Sequence, residues 1–289
     1  MKKFCFIALL LISMIALAAC GAPTQPAQSQ EQPTAVQQPA TIQPTAPSGN
    51  TASGNGVEFT IPTSLGTGAT SSIVPEFQPD PNGPGQDIPA YLLFKLQGYP
   101  VNTPDEYTKA QVQVFSTSAN VQGLNGDVNK INAIIAAPNM QLTKDSMPSS
   151  YLVMASNIKA ISSADSSVRG ARMLSLHGNG LPLATNDGTL AYQFHGVTSD
   201  GKYYVIVQLP ITAPFLQADM NAPVPAGGIP TPDGNGIDAY YQQVAALLNS
   251  AETAGTLSPS IAAMDALVQS LKINSSALVL PAPLPTPAQ

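Results

Sequence analysis

The feature that most constrains the fold is a hairpin pattern between Leu190 and Pro210. Apolar and polar residues alternate over two runs, and Asp200-Gly201 stands between them. Asp-Gly between strand-like runs predicts an antiparallel hairpin, because both central residues of a type I′ turn take positive φ. The chain is therefore expected to contain antiparallel sheet.

Counting outward from a two-residue loop separates the two faces of this hairpin. The apolar face, expected to be core, pairs Thr198 with Tyr203, Gly196 with Val205, Phe194 with Val207 and Tyr192 with Leu209. The mixed face pairs Gln193 with Gln208, His195 with Ile206 and Val197 with Tyr204. Such alternation is typical of an antiparallel sheet with one solvated face. We therefore expect the mixed face to be solvated or to line a shallow site.

Other segments extend this pattern into a whole domain. Apolar or alternating runs predict further strands at 90–98, 111–115, 168–176 and 277–280. Apolar residues at helical spacing predict helices over 125–136 and 237–250, and a third helix with Ser258 as N-cap and Pro259 at its first position. Strands followed by helices indicate the α+β class, with an antiparallel β-sheet and helices packed on one side.

The N-terminal residues have the order of an export signal. Lys2 and Lys3 precede an apolar stretch of about 16 residues, which is shorter than the ~20 needed to span a bilayer. Leu17-Ala18-Ala19-Cys20 resembles the bacterial lipobox. That resemblance implies removal of residues 1–19 and a diacylglyceryl lipid on Cys20. We expect a cell-membrane anchor, with the protein facing outside the cytoplasm.

Composition divides the rest of the chain. Residues 20–56 are rich in Pro, Gln, Thr and Ala, which predicts a lipid-anchored disordered stalk. Residues 57–280 are predicted to form the α+β domain, and 281–289 a Pro-rich tail. The only cysteines are Cys5 and Cys20, so a mature chain beginning at Cys20 could form no internal disulfide.

Charge argues against some partners. Charged residues make up 10% of the chain and the net charge is -6. Nucleic-acid binding needs a positively charged surface that neutralises phosphates, so no nucleic-acid partner is expected. The expected partners are the membrane, through the lipid, and an unknown extracytoplasmic ligand or protein.

Few residues are candidates for chemistry. The chain has two histidines, His177 and His195, which could form a metal or acid–base pair if adjacent strands bring them together; otherwise they are ordinary surface histidines. Ser156 and Lys159 match a Ser-x-x-Lys acylation motif, but they fall in a predicted strand or loop. A binding face could instead use Tyr204 with Gln193 and Gln208.

One loop has the oxygen ligands of a weak calcium site. Asp233, Asn235 and Asp238 are separated by glycines and Ile237. The alternative is a turn in which Asn235 caps the next helix and Asp238 lies in its first turn. No other cofactor is expected.

A broader resemblance accompanies these features. Phe194–Ile211 and Met264–Leu271 resemble segments of uncharacterised secreted lipoproteins from Chloroflexi-type bacteria, which share the lipobox and the Pro/Thr/Gln-rich stalk. The resemblance implies a lipoprotein with an α+β domain and assigns no functional residue. We therefore expect a non-catalytic module that binds a ligand or partner. The alternatives are a cell-envelope hydrolase or metal-dependent enzyme using His177 and His195, and a structural surface protein.

Overall fold

The computed structural model describes the domain from Gly49 onward. The described residues are 49–78, 87–103, 108–119, 122–137, 143–148, 152–178, 182–233 and 236–281. The predicted signal peptide, Cys20, stalk residues 20–48 and tail residues 282–289 lie outside these ranges.

The described residues form ten strands in two antiparallel sheets. The smaller sheet has the order β1-β2-β10 and contains β1 (Gly49–Gly54), β2 (Val57–Pro62) and β10 (Lys272–Ile273). The larger sheet has the order β3-β4-β5-β9-β8-β7-β6. Its strands are β3 (Gly68–Val74), β4 (Tyr91–Gln97), β5 (Gln111–Ser116), β6 (Leu152–Ser162), β7 (Val168–His177), β8 (Leu190–Thr198) and β9 (Tyr203–Pro210).

Helices cover both faces of the larger sheet. They are α1 (Gln122–Ala136), α2 (Ile237–Ala254) and α3 (Ile261–Gln269). The α+β class is confirmed, and α2 and α3 share one face as expected, whereas α1 packs on the opposite face against β7 and β8. The prediction that the helices pack on one side of the sheet is therefore wrong for α1. Among the described helices, none combines the length and the apolar character that a membrane crossing requires.

Each face of the larger sheet has its own core. On the first face, Phe194 and Val207 of the hairpin join Val244 of α2 and Met264 of α3. The small sheet also packs there, where Phe59 meets Phe94 edge to face with ring centroids 5.2 Å apart. On the second face, apolar side chains of α1 cover a smaller cluster. Its buried members are Phe115, Ile131, Ile134, Met147, Ala171, Met173, Val197 and Tyr204.

The hairpin register is confirmed, but its turn differs from the expected type. The pairs run as predicted from Tyr192–Leu209 to Val197–Tyr204. Gly201 N donates to Thr198 O at 2.8 Å, and Gly201 has φ 71°, whereas Asp200 does not have positive φ. The Asp200 carboxylate instead accepts from Thr198 Oγ1 at 2.7 Å and from Lys202 N at 3.2 Å. Asp200 therefore stabilises the turn through its side chain rather than through a positive φ.

The predicted limit between stalk and domain at Val57 is too late. Residues 49–54 form β1, which pairs with β2 over six residue pairs and buries Ala52. Its composition of small and polar residues gives little strand signal, but β2 supplies a complete hydrogen-bonding partner. Tertiary pairing thus overrides local composition at these residues.

The predicted start of α2 at Ile237 is confirmed, whereas the start of α3 differs from the prediction. Ser260 rather than Ser258 is the N-cap of α3, and its hydroxyl accepts from Ala263 N. Ser258 cannot open the helix because its backbone pairs with Thr212. The N-cap of α2 is Gly236. The predicted last strand at 277–280 is wrong, since the C-terminal strand is β10 at Lys272–Ile273.

Candidate functional site

The mixed face of the hairpin carries a chain of hydrogen-bonded polar side chains. Gln193 Nε2 donates to Gln208 Oε1 at 3.2 Å, across the register predicted from the alternation. His195 Nε2 lies 3.2 Å from Gln193 Oε1, and His195 Nδ1 lies 2.6 Å from the Tyr204 hydroxyl. The candidate binding residues Gln193, Gln208, His195 and Tyr204 are therefore brought together.

This polar chain is covered rather than solvated. His195 is 3% exposed and Tyr204 is fully buried. The cover comes from α1, whose Ile131 and Ile134 pack in the same cluster as Tyr204. The expectation of an open binding face with an exposed Tyr204 is therefore wrong, because a helix elsewhere in the chain buries the polar side chains.

Burial also determines the charge state of His195 and Tyr204. Burial, with a smaller contribution from the charge of His177, lowers the pKa of His195 to about 3. It raises the pKa of Tyr204 well above its usual value, and the nearby Asp127 carboxylate adds to this. Both side chains are therefore neutral at physiological pH. Their hydrogen bond pairs two buried polar groups, and neither side chain is exposed to act as a general base.

The two histidines share a face of the sheet, and the charge of His177 acts on His195. His195 stands opposite Ala171 on β7, while His177 ends the same strand opposite Leu152. His177 Nε2 is buried and has no hydrogen-bond partner among the described residues. Burial lowers the pKa of His177 to about 4. Both ring nitrogens of His195 contact Tyr204 and Gln193 rather than His177, so a histidine pair that acts as a metal or acid–base site stays a prediction.

A second polar cluster, which the sequence did not reveal, lies on the opposite face. Arg172 of β7 is 2% exposed, and its Nη2 lies 2.5 Å from Glu252 Oε1 of α2. Its Nε lies 3.5 Å from Asp265 Oδ1 of α3, which also accepts from Tyr192 Oη at 2.9 Å. Asn157 donates to Glu252 Oε2 at 2.5 Å, and its backbone carbonyl accepts from Arg172 Nη1. One guanidinium on β7 thus contacts β6, α2 and α3.

The pKa values of the two carboxylates in this cluster are shifted in opposite directions. Burial alone would raise the pKa of Glu252, but hydrogen bonds from Arg172 and Asn157 lower it overall. Burial raises the pKa of Asp265, and the Arg172 charge opposes that rise only in part. Although such a split can mark an acid–base pair, both carboxylates here contact Arg172. The arrangement fixes two helices to the sheet.

The Ser-x-x-Lys match does not form an acylation site. Ser156 and Lys159 lie on β6, on either side of an irregularity in its pairing with β7. Asn157 between them has φ 53°, a conformation that Asn tolerates better than most residues. Because no helix places Lys159 one turn after Ser156, the lysine is not positioned to accept the serine proton.

Only Asp233 and Asp238 of the three predicted calcium ligands lie within the described residues. Asn235 lies outside the described residues, and Gly236 occupies the N-cap position of α2 at which Asn235 was expected. Asp238 occupies the first turn of α2, and Asp233 O accepts from Gly236 N at 2.9 Å. Within the described ranges, no three His, Cys, Asp or Glu side chains come together as metal ligands do. Weak calcium binding stays a prediction.

A groove of about 300 Å³ opens where the C-terminal segment crosses the ends of the strands. We call it the C-terminal groove. It is lined by Glu76, Pro89, Ala90, Ser116, Ser118, Ala119, Tyr203 and residues 278–281. Glu76 is the one charged residue in this set. The groove therefore combines apolar surface with a few hydroxyl groups.

Hydrogen bonds from Tyr203 and Asn55 hold the wall formed by residues 278–281. Tyr203 Oη donates to Leu278 O at 2.6 Å, and Asn55 Nδ2 donates to Val279 O at 2.8 Å. The Val279 side chain is 71% exposed beside this fixed backbone. Phe77 and Ile88, which follow and precede lining residues in the chain, are exposed and joined by backbone hydrogen bonds. Sequence reasoning missed this groove because its walls come from distant segments.

Comparison with protein-family models, with curated proteins and with solved structures found no match for this chain.

Proposed function

We propose that this chain is a membrane-anchored extracytoplasmic lipoprotein whose domain binds an uncharged, partly apolar ligand in the C-terminal groove without catalysing a reaction. The observation that supports this most is the groove itself. Its wall at residues 278–281 is held in place by Tyr203 and Asn55, and apolar side chains around it remain exposed. Preformed, mainly apolar hollows with a few polar groups are typical of ligand sites.

The buried polar clusters favour binding over catalysis. His195 and Tyr204 satisfy each other beneath α1, and Arg172 is committed to Glu252 and Asp265. None of these side chains lines the C-terminal groove. The hydrolase alternative built on His177 and His195 gains no support, because the described residues bring no third metal-ligating side chain to the two imidazoles.

The groove also indicates the chemistry of its ligand. A volume of about 300 Å³ is at the small end for ligand sites. The lining offers the hydroxyls of Ser116 and Ser118, whose oxygens lie 2.8 Å apart, and the carboxylate of Glu76. The Glu76 carboxylate disfavours anions but already accepts a hydrogen bond from Gln78, and the rest of the lining is uncharged. We therefore infer a small neutral ligand, or one neutral side of a larger partner.

Binding in the groove can be tested with the neutral apolar dye N-phenyl-1-naphthylamine and the full-length chain. Wild type should show a saturable rise in dye fluorescence. Ser118→Trp places a large ring at the groove and should weaken dye binding about tenfold or more, which corresponds to ~1.4 kcal/mol. Ser250→Trp makes the same change at an exposed position on α2 and should bind dye as wild type does.

Two results would count against the groove. One is dye fluorescence that never saturates in wild type. The other is equal dye affinity in Ser118→Trp and Ser250→Trp. Either result would favour the remaining alternative, a structural surface protein.

The anchor is tested separately. Growth of the native host with labelled palmitate should label the wild-type chain and leave it in the membrane fraction. Cys20→Ala should abolish both the label and the membrane retention, since the thiol is the expected site of the lipid. Label that persists in Cys20→Ala would rule out this lipid site without affecting the test of the groove.

A further inference from the structure

The two edges of the seven-stranded sheet differ in their protection. Unpaired strand edges attract other strands, and proteins block them with charges, prolines, bulges or covering helices. The β6 edge has such protection, because its pairing is irregular near Asn157, Lys159 is exposed on it, and α2 packs against it. The opposite edge is formed by β3.

The β3 edge lacks these devices. The strand reads Gly-Ala-Thr-Ser-Ser-Ile-Val, without charge or proline, and pairs with β4 in an unbroken register from Gly68 to Val74. Residues 70–73 are exposed. β1 packs beside β3, and Gly54 lies close to the Ser71 side chain, but across the described ranges no second strand and no loop backbone hydrogen-bonds to β3. In an antiparallel pair, the backbone groups of alternate residues point away from the partner strand, so β3 presents free donors and acceptors.

We propose that β3 is a dimer interface, at which the β3 strand of a second copy of this chain pairs antiparallel and continues the sheet. The register that pairs all seven residues of each strand places Ser71 on the two-fold axis. Each residue then faces a complementary one of the second copy. Ile73 faces Ala69, Val74 faces Gly68, and Thr70 faces Ser72.

This self-complementarity favours a second copy over an unrelated peptide. The small residues occupy the first half of β3 and the β-branched apolar residues occupy its end. Antiparallel pairing with itself therefore sets large side chains against small ones and hydroxyls against hydroxyls, which are stabilising cross-strand combinations. With no charge on the strand, the two copies bring no like charges together. A two-fold interface of this kind is closed and does not propagate.

The contact is expected to be weak. Two strands of seven residues are each about 23 Å long, and such a contact is small compared with the interfaces of stable dimers. We therefore expect the fraction of dimer to change with protein concentration, rather than a permanent dimer. Two copies anchored in one membrane would meet at a high effective concentration.

Size-exclusion chromatography with light scattering, on the full-length chain in neutral detergent, tests the proposal. Across roughly a hundredfold range of concentration, wild type should shift from one to two chains per particle. Ser71→Lys sets two like charges on the axis and should remain single. The control Thr253→Lys, at an exposed position of α2, should dimerise as wild type does.

A mixing experiment keeps the test independent of folding defects. Ser71→Glu alone should also remain single, whereas an equal mixture of Ser71→Lys and Ser71→Glu should form particles of two chains. Wild type that stays single throughout would overturn the proposal. Dimers that persist in Ser71→Lys, or a mixture that stays single, would overturn it as well.

Discussion

Arg172 on β7 and Glu252 on α2 form a two-point ion pair in which Nη2 lies 2.5 Å from Oε1 and Nη1 lies 3.2 Å from Oε2. The guanidinium is buried, while the Glu252 side chain keeps 29% of its surface exposed. The pair therefore joins a solvent-accessible helix to the interior of the sheet. Its strength depends on both partners being present, because a buried guanidinium without a counter-ion is costly.

Removal of the guanidinium should destabilise the domain strongly. Arg172→Met leaves Glu252 and Asp265 without their cation and Asn157 O without its donor. We therefore expect the free energy of unfolding to fall by about 3–5 kcal/mol. Arg169→Met, on the same strand but exposed, should change stability by no more than about 0.5 kcal/mol. Urea unfolding followed by circular dichroism measures both. Equal effects would show that Arg172 contributes no more than a surface arginine.

The Glu252 carboxylate should make the stability of the domain depend on pH in the acidic range. Its pKa is lower in the folded chain than in the unfolded chain, because the hydrogen bonds from Arg172 and Asn157 outweigh burial. Its stabilising contribution is therefore full above the unfolded pKa, near 4.3, and is lost as the pH falls through the lower folded value. The difference in unfolding free energy between wild type and Glu252→Gln should be larger at about pH 7 than at about pH 3. A constant difference would contradict this linkage.

The Tyr204 hydroxyl should matter for stability. Tyr204→Phe removes the partner 2.6 Å from His195 Nδ1 in a fully buried position, which should cost about 1–3 kcal/mol. Tyr241→Phe also removes one hydrogen bond, to Pro182 O at 3.0 Å, but from a half-buried residue, and should cost less. Thermal unfolding distinguishes the two variants. A larger loss in Tyr241→Phe would contradict the buried hydrogen bond.

His195 should make the domain less stable in mild acid. Its folded pKa, about 3, is below the unfolded value near 6.5, so protonation favours the unfolded chain. The contribution of His195 to stability is full above about pH 6.5 and falls as the pH drops towards the folded pKa. His195→Gln should flatten that dependence, and the wild-type His195 ring should show no NMR titration between about pH 7 and pH 5. Titration within this range would show that the ring is accessible.

Two glycine-to-alanine changes should differ in severity. At Gly170 an added Cβ would lie 2.0 Å from the backbone oxygen of His195, so the adjacent strand would have to move. Gly201 has φ 71° and no neighbouring atom within 4 Å of the added Cβ, so its cost is limited to about 1 kcal/mol of backbone strain. Gly170→Ala should therefore lower the melting temperature more than Gly201→Ala. The reverse order would contradict the close approach of β7 and β8.

Local patterns predicted the parts of the fold that depend on near neighbours. Alternation along 190–210 was enough for the register of β8 with β9, and apolar spacing located α2. The cover over His195 could not be predicted, because nothing near His195 in the chain indicates that α1 packs on its face. A mixed face is equally consistent with solvent and with a helix above it.

The sequence indicates that Arg172 is buried but does not identify its partners. Arg172 falls on the same face of β7 as Leu174, which the alternation assigns to the core, so a charged partner was required. The partner lies eighty residues later on α2, and no local pattern identifies it. The C-terminal groove has the same origin, since Pro89, Ser118 and Val279 meet only after the sheets are assembled.

The pairing of β2 with β10 has a consequence for the order of folding. Glu58 and Lys272 face each other across a separation of 214 positions, so the middle strand of the small sheet obtains its second neighbour from the final part of the chain. Contacts this distant in sequence form late, because a long loop must first be closed. A chain emerging from the ribosome therefore cannot complete its small sheet until Lys272 and Ile273 have been synthesised. Until then β2 exposes an unpaired strand edge to other chains.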